Sequence, residues 1–166
     1  MLLFMPILGI AISLTTIVGM FYGAKEFDKL LSVVNYGINR AVLITTISVI
    51  FFFVLASNIL PIFSSNPLVI DIGVTYLKII ILVYPAVGIS VICSRVCQAL
   101  GQGMPLLITT ITRVIILTAP LSYYFYFTGR PIEWVWFSQV LAILIAATIS
   151  FAWMRYYFRK FNIVRN

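Results

Sequence analysis

The chain has 166 residues, 63% of them hydrophobic and 9% charged. A soluble domain of this size has no way to hide so much apolar surface, and the apolar residues run on without the polar–apolar alternation of a membrane β-barrel. The formal charge of +7 does not point to nucleic acid: the bases flank apolar stretches, where they act as topology determinants near anionic headgroups.

Apolar spans are predicted at 1–22, 37–63, 72–94, 105–127 and 134–154. Each has about the ~20 residues that carry a helix across a ~30 Å hydrocarbon layer. Backbone groups in lipid must be satisfied within the segment, so the spans are helices. The expected fold is all-α: a polytopic membrane protein, with residues 1–166 forming a single, incomplete transmembrane helical lobe.

The first span is too long for a signal-peptide core and lacks a basic start. Gly9, Ser13 and Thr16 share one helix face, with Gly23 seven residues further on. Small residues there let another helix approach closely, so the face reads as a packing seam or as a surface offering hydroxyls to a cavity. In the connection 23–36, Gly23 is expected to end the helix in a left-handed conformation. Asp28 is expected to cap the next helix or pair with a base. Phe27–Tyr36 look like an amphipathic, interfacial approach to the second span.

The second span ends at Pro61, followed by the turn Ser64-Ser65-Asn66-Pro67. Asp71 lies near the start of the third span, where a negative charge suits the helix dipole. Pro85 cannot donate to the carbonyl of Ile81 and should kink this span. Gly88 and Ser90 follow, and the break either faces a cavity or improves packing. Lys78 is placed to snorkel outward. Cys93 and Cys97 stand one turn apart in a chain with no histidine, so they read as buried thiols and no metal site is expected.

The turn Gly101-Gln102-Gly103-Met104-Pro105 puts proline near the next helix start, where its missing N–H is harmless. Arg113 lies ~12 Å along the fourth span at 1.5 Å per residue. A charge that deep costs ~3 kcal/mol unless it snorkels to the headgroups or finds polar partners; Thr109, Thr110 and Thr112 are near, and Pro120 frees the carbonyl of Ile116. The fifth span opens with Trp134 and Trp136 and closes with Trp153, Tyr156 and Tyr157, which read as interface belts. Between them Ser138, Ala142, Ala146 and Ser150 recur every four residues as a packing stripe.

Charge alternates along the connections. Lys25, Lys29, Arg95, Arg155, Arg159, Lys160 and Arg165 fall on the first, the third and the tail, with Arg40 at the first-loop end of the second span. Residues 64–71 hold no base, and 128–133 hold only Arg130. Cytoplasmic loops accumulate Lys and Arg, so the tail is expected inside and Met1 outside, which suggests a piece of a longer membrane protein. The acids Glu26, Asp28, Asp71 and Glu133 all lie in loops or at span ends. Without histidine, a phosphate loop or paired intramembrane carboxylates, no enzyme and no cofactor are expected.

Gly23-Ala24-Lys25-Glu26-Phe27-Asp28-Lys29 resembles a loop of the multidrug and toxic compound extrusion (MATE) family. Asn66-Pro67-Leu68-Val69 with Tyr76-Leu77-Lys78-Ile79, then 98–105, then Arg113 with Pro120-Leu121-Ser122-Tyr123, are similar to further family patterns in order and spacing. The resemblance implies helices eight to twelve of a twelve-helix, two-lobe transporter in the cell membrane; helices two to six of the first lobe have the same parity but are disfavoured, because the Arg113 and Pro120 pattern resembles the second lobe. It implies a sodium- or proton-coupled antiporter that exports amphipathic, often cationic, organic compounds by alternating access against the N-terminal lobe. Helices that bend or line the family's cavity map onto Ser13, Thr16, Tyr84, Pro85, Gly88 and Ser90, with Arg113 as an interior polar candidate. Residues 82–93, where some members carry a cation-binding acid, have none, which assigns coupling to the other lobe. Two alternatives remain: a lipid-linked polysaccharide flippase fragment of the same superfamily, and a small non-transporting membrane scaffold.

Overall fold

Six of the seven prolines stand at helix ends, where the missing N–H costs least, and Pro120 lies within the continuous helical stretch Met104–Phe127. In the computed structural model, which describes residues 4–161, they open or separate α1 (Met5–Gly23), α2 (Phe27–Ile59), α3 (Pro67–Ile81), α4 (Tyr84–Ala99), α5 (Met104–Ile111), α6 (Ala119–Phe127) and α7 (Ile132–Lys160). Pro61 sits in a 3₁₀ turn, Leu60–Ile62, and Pro120 follows a π-helical segment, Thr112–Thr118, that joins α5 to α6. Asn66 caps α3 by accepting the N–H of Leu68 at 3.0 Å. No strand occurs among the described residues. Arg165 and the first three residues of the predicted first span lie outside them.

Four apolar helical stretches are long enough to cross a membrane: Met5–Gly23, Phe27–Ile62, Met104–Phe127 and Ile132–Lys160. The pair α3 and α4, bent by 48° at Leu82–Val83, is a fifth when taken as one broken span. The kink expected at Pro85 is therefore present, with the proline in the first turn of α4. At the 101–105 turn, Gly101 adopts φ +79°, a left-handed conformation that suits glycine.

The core lies where α4 meets α1, α2 and α7. Ala11, Leu14 and Val18 of α1 pack with Leu30, Val34 and Ala41 of α2, with Ile92, Val96 and both cysteines of α4, and with Met154 and Phe158 of α7. The three basic connections meet at one end of this bundle. Tyr22 lies 6.4 Å from Phe27 and 5.9 Å from Phe161, ring to ring, and Leu100 joins the same cluster. Outward-facing side chains such as Ile47, Val54, Ile115 and Phe137 are large and apolar, as lipid requires.

Local expectations are corrected at four places. Residues 27–36 do not form a separate interfacial segment: α2 is one helix of 33 residues, about 50 Å long at 1.5 Å per residue. Its buried stripe of Leu30, Val34, Gly37, Ala41 and Thr45 crosses the expected boundary at 3.6-residue spacing. The left-handed residue after α1 is Lys25, at φ 60°, rather than Gly23, which stays helical. The capping acid is also displaced: Asp28 sits inside the first turn of α2, where it meets the dipole, and the ion pair joins Glu26 to Lys29 at 2.9 Å. Of the belt residues, Trp134 and Tyr156 are exposed, but Trp136 packs edge-on against Tyr76 at 5.4 Å and Tyr157 is buried, stacked on Phe161.

Candidate functional site

Ser90 and Ser94 are four residues apart on α4 and so share a face. That face meets α7, whose Ser138, Ala142, Ala146 and Ser150 are all buried. The packing stripe expected on the fifth span is thus in place, and its small side chains let the two backbones approach. Ser150 is the hub of four hydroxyls from three helices. Its Oγ lies 3.1 Å from that of Ser90, accepts from Ser94 at 3.3 Å, and donates to Oγ1 of Thr109 on α5 at 3.4 Å. Interhelical hydrogen bonds of this kind contribute ~0.6 kcal/mol on average inside membranes.

The cluster borders a cavity of about 210 Å³, lined by Ser90, Ser94, Thr109, Thr110, Arg95 and Arg113 and walled on the α1 side by Phe4 and Leu8. A second cavity, about 280 Å³, shares Arg113 in its lining with Val114, Thr118, Gln139 and Ile143. Arg113 is half-buried and lines both. The π-helical segment carries it there: Pro120 cannot donate backward, and the wider turn is sealed by the Thr118 hydroxyl, which donates to the Arg113 carbonyl at 2.8 Å. Arg95 donates through Nη1 to Oε1 of Gln98 at 3.0 Å. Among the described residues the one ion pair is Lys29–Glu26, so neither arginine has a carboxylate within 4.0 Å. A larger hollow, about 440 Å³, lies between α6 and α7, lined by Leu121, Phe125, Trp134 and Phe137 among others. Its walls are almost entirely apolar, so it offers volume without a group to orient a ligand.

The seven residues singled out from the sequence separate into four places. Ser90 and Arg113 line the same cavity. Ser13 and Thr16 are exposed, on the α1 face opposite the buried Ile7, Ala11, Leu14 and Val18; the Ser13 hydroxyl donates to the Gly9 carbonyl at 3.0 Å. Tyr84 and Pro85 are half-buried at the bend. Gly88 is buried at the crossing with α2, where a Cβ would lie 3.5 Å from Cγ2 of Thr45 and 3.8 Å from Cβ of Ala41, so it serves that crossing. Ser94, Thr109 and Ser150 complete the cluster without having been singled out as site residues. The available signal was the i, i+4 pair on α4 facing a serine-bearing stripe. Among the described residues no group of Cys, Asp or Glu is placed to hold a metal ion.

The sequence model of the MatE family matches residues 1–124. The Probable multidrug resistance protein NorM of Thermotoga maritima is 27% identical over 120 residues, which cover 72% of this chain and 26% of that protein. The inward-facing structure of a multidrug resistance MATE family transporter of the MOP superfamily superposes with a TM-score of 0.90 at 25% identity, covering 100% of this chain and 39% of that one. The outward-facing structure of such a transporter gives 0.89 at 25% identity, covering 99% and 37%. The chain therefore spans between about a quarter and two fifths of the length of these proteins.

Proposed function

The chain belongs to the MatE family of membrane transporters, and we propose that it forms part of the C-terminal lobe, helices eight to twelve, of a secondary multidrug exporter. In this reading the lobe sits in the cell membrane with its three basic connections in the cytoplasm and pairs with an N-terminal lobe of the same protein. Amphipathic organic compounds leave by alternating access, driven by inward sodium or protons. One observation carries the reading: the lobe resembles an inward-facing and an outward-facing transporter equally well, with TM-scores of 0.90 and 0.89. A body that keeps its shape in both states suits rigid-body rocking about a central cavity. The exposed Ser13–Thr16 face of α1 is then the side turned to the partner lobe. Because 82–93 carry no acid, the coupling ion is assigned to that partner.

The test is efflux from proteoliposomes containing the two-lobed protein, with a sodium or proton gradient imposed in turn. Ion-driven export of an amphipathic dye is expected. Arg113→Ala should weaken it more than Arg155→Ala, because Arg155 is exposed and lies over the Phe151 ring at 5.3 Å, away from the cavity. No gradient-driven efflux at all would overturn the exporter reading; equal efflux from both variants would remove Arg113 from the transport path.

A further inference from the structure

Proton counting sets the direction of the hydroxyl chain. A serine or threonine hydroxyl has one proton to give and two lone pairs to accept with. Ser150 spends its proton on Thr109, so both Ser94 and Ser90 must donate to Ser150. Thr110 spends its own on the Leu106 carbonyl, 2.8 Å away. Thr109 therefore ends the relay. It accepts from Ser150, and among the described residues its proton has no protein acceptor. The relay delivers an O–H donor to the same cavity that Arg113 and Arg95 line.

The cavity is thus lined by two arginines and a terminal hydroxyl donor, with no carboxylate among its lining residues. Phe4, Leu8 and Leu106 supply an apolar wall beside them. Two arginines and no acid on one cavity disfavour a cation there, whereas an oxyanion pairs with a guanidinium and takes the hydroxyl proton as well. We propose that this cavity binds the oxyanion head, carboxylate or phosphate, of an amphiphile whose apolar body lies along the α1 side. The proposal rests on the exporter reading only for its consequence, that the transported compounds include anionic amphiphiles; the binding site itself stands on the geometry.

The experiment uses the protein in phosphatidylcholine nanodiscs, titrated calorimetrically with octyl phosphate and with octyltrimethylammonium, with protein-free nanodiscs subtracted. Saturable binding of the phosphate and none of the ammonium is expected. Arg113→Gln should weaken octyl phosphate at least ten-fold, Arg113→Lys less, and the near-isosteric Thr109→Val three- to ten-fold. Equal affinity for the two probes, or full affinity in Arg113→Gln, overturns the proposal. If Arg113→Gln does not fold, the wild-type selectivity and Thr109→Val decide it. Phosphatidylglycerol in the nanodisc separates two sources of the same head: loss of octyl phosphate binding assigns the site to a membrane lipid, and retention assigns it to a soluble amphiphile. Anion binding without gradient-driven efflux would sink the exporter reading alone, and efflux of organic cations without anion selectivity would sink the site alone.

Discussion

α1 and α7 carry the same device in sequence, small residues three and four apart down one helix face, and the structure uses them oppositely. On α7, Ser138, Ala142, Ala146 and Ser150 are 0–2% exposed; Ser150 bonds to Ser90 and Ser94 of α4, and Ser138 lies 3.1 Å from the Ser122 hydroxyl of α6. On α1, Gly9, Ser13 and Thr16 point out of the bundle, while the branched residues Ile7, Leu14 and Val18 turn inward with Ala11. The difference lies in what occupies the other face. Around α7 the remaining surface carries Phe137, Leu141, Leu144 and Phe151, all exposed, which suit lipid, so the small face is left to meet protein. α1 offers an apolar knob face that fills grooves in α2 and α4: Leu14 lies over Gly37, where a Cβ would come within 2.9 Å of Leu14 Cδ2. Small-residue spacing shows that a helix face is smooth; it does not say what the face meets.

The largest effect should come from filling each smooth face in turn. Ala142 is fully buried, and Ala142→Leu forces side chains off their rotamers at a cost of ~1–3 kcal/mol. A lower thermal midpoint in detergent is expected. Gly9→Leu should leave the midpoint nearly unchanged, because a Cβ at Gly9 meets nothing within 4 Å. Equal destabilisation by the two would show that the α1 face is packed in this lobe and would dissolve the contrast.

A smaller effect separates the hydroxyls on the two faces. Ser150→Ala removes the acceptor of Ser90 and Ser94 and the donor to Thr109, which should cost about 1 kcal/mol by the same melt. Ser13→Ala removes only a bond to its own helix, at the Gly9 carbonyl, and should cost almost nothing. A cost at Ser13 matching that at Ser150 would mean that the Ser13 hydroxyl has a partner across an interface.

What was legible in sequence depends on the range of the physics. The five spans, the bend at Pro85 and the α7 stripe follow from apolar length, a missing N–H and 3.6-residue spacing, all local. The start of α2 at Phe27 was harder to see because Lys29 and Asn35 lower the hydropathy while Leu30 and Val34 continue the buried stripe. The π-helical segment depends on how the backbone resolves the Pro120 conflict, and a straight kink would have met the same need. The hydroxyl cluster was least legible: Ser90, Ser94, Thr109 and Ser150 come from α4, α5 and α7, and their meeting is a property of three crossings.

The gentlest test asks what the α1 face touches. Cys93 and Cys97 are fully buried, so a membrane-impermeant maleimide should find the wild-type protein unreactive on the timescale of labelling. Ser13→Cys and Thr16→Cys add one thiol each on an exposed face at almost no cost in stability. If that face borders a water-filled cavity beside a partner lobe, both thiols should label in the two-lobed protein in vesicles, and an amphipathic substrate should slow the labelling. If it faces acyl chains, neither should label, since thiolate formation and reagent access both need water. A Val54→Cys control on α2, 68% exposed and between apolar neighbours, should stay silent in either case. Labelling at Ser13 and Thr16 with silence at Val54 would divide this lobe's outer surface into a wet face and a lipid face, and would place the wet one on the helix whose small-residue stripe found no seam of its own.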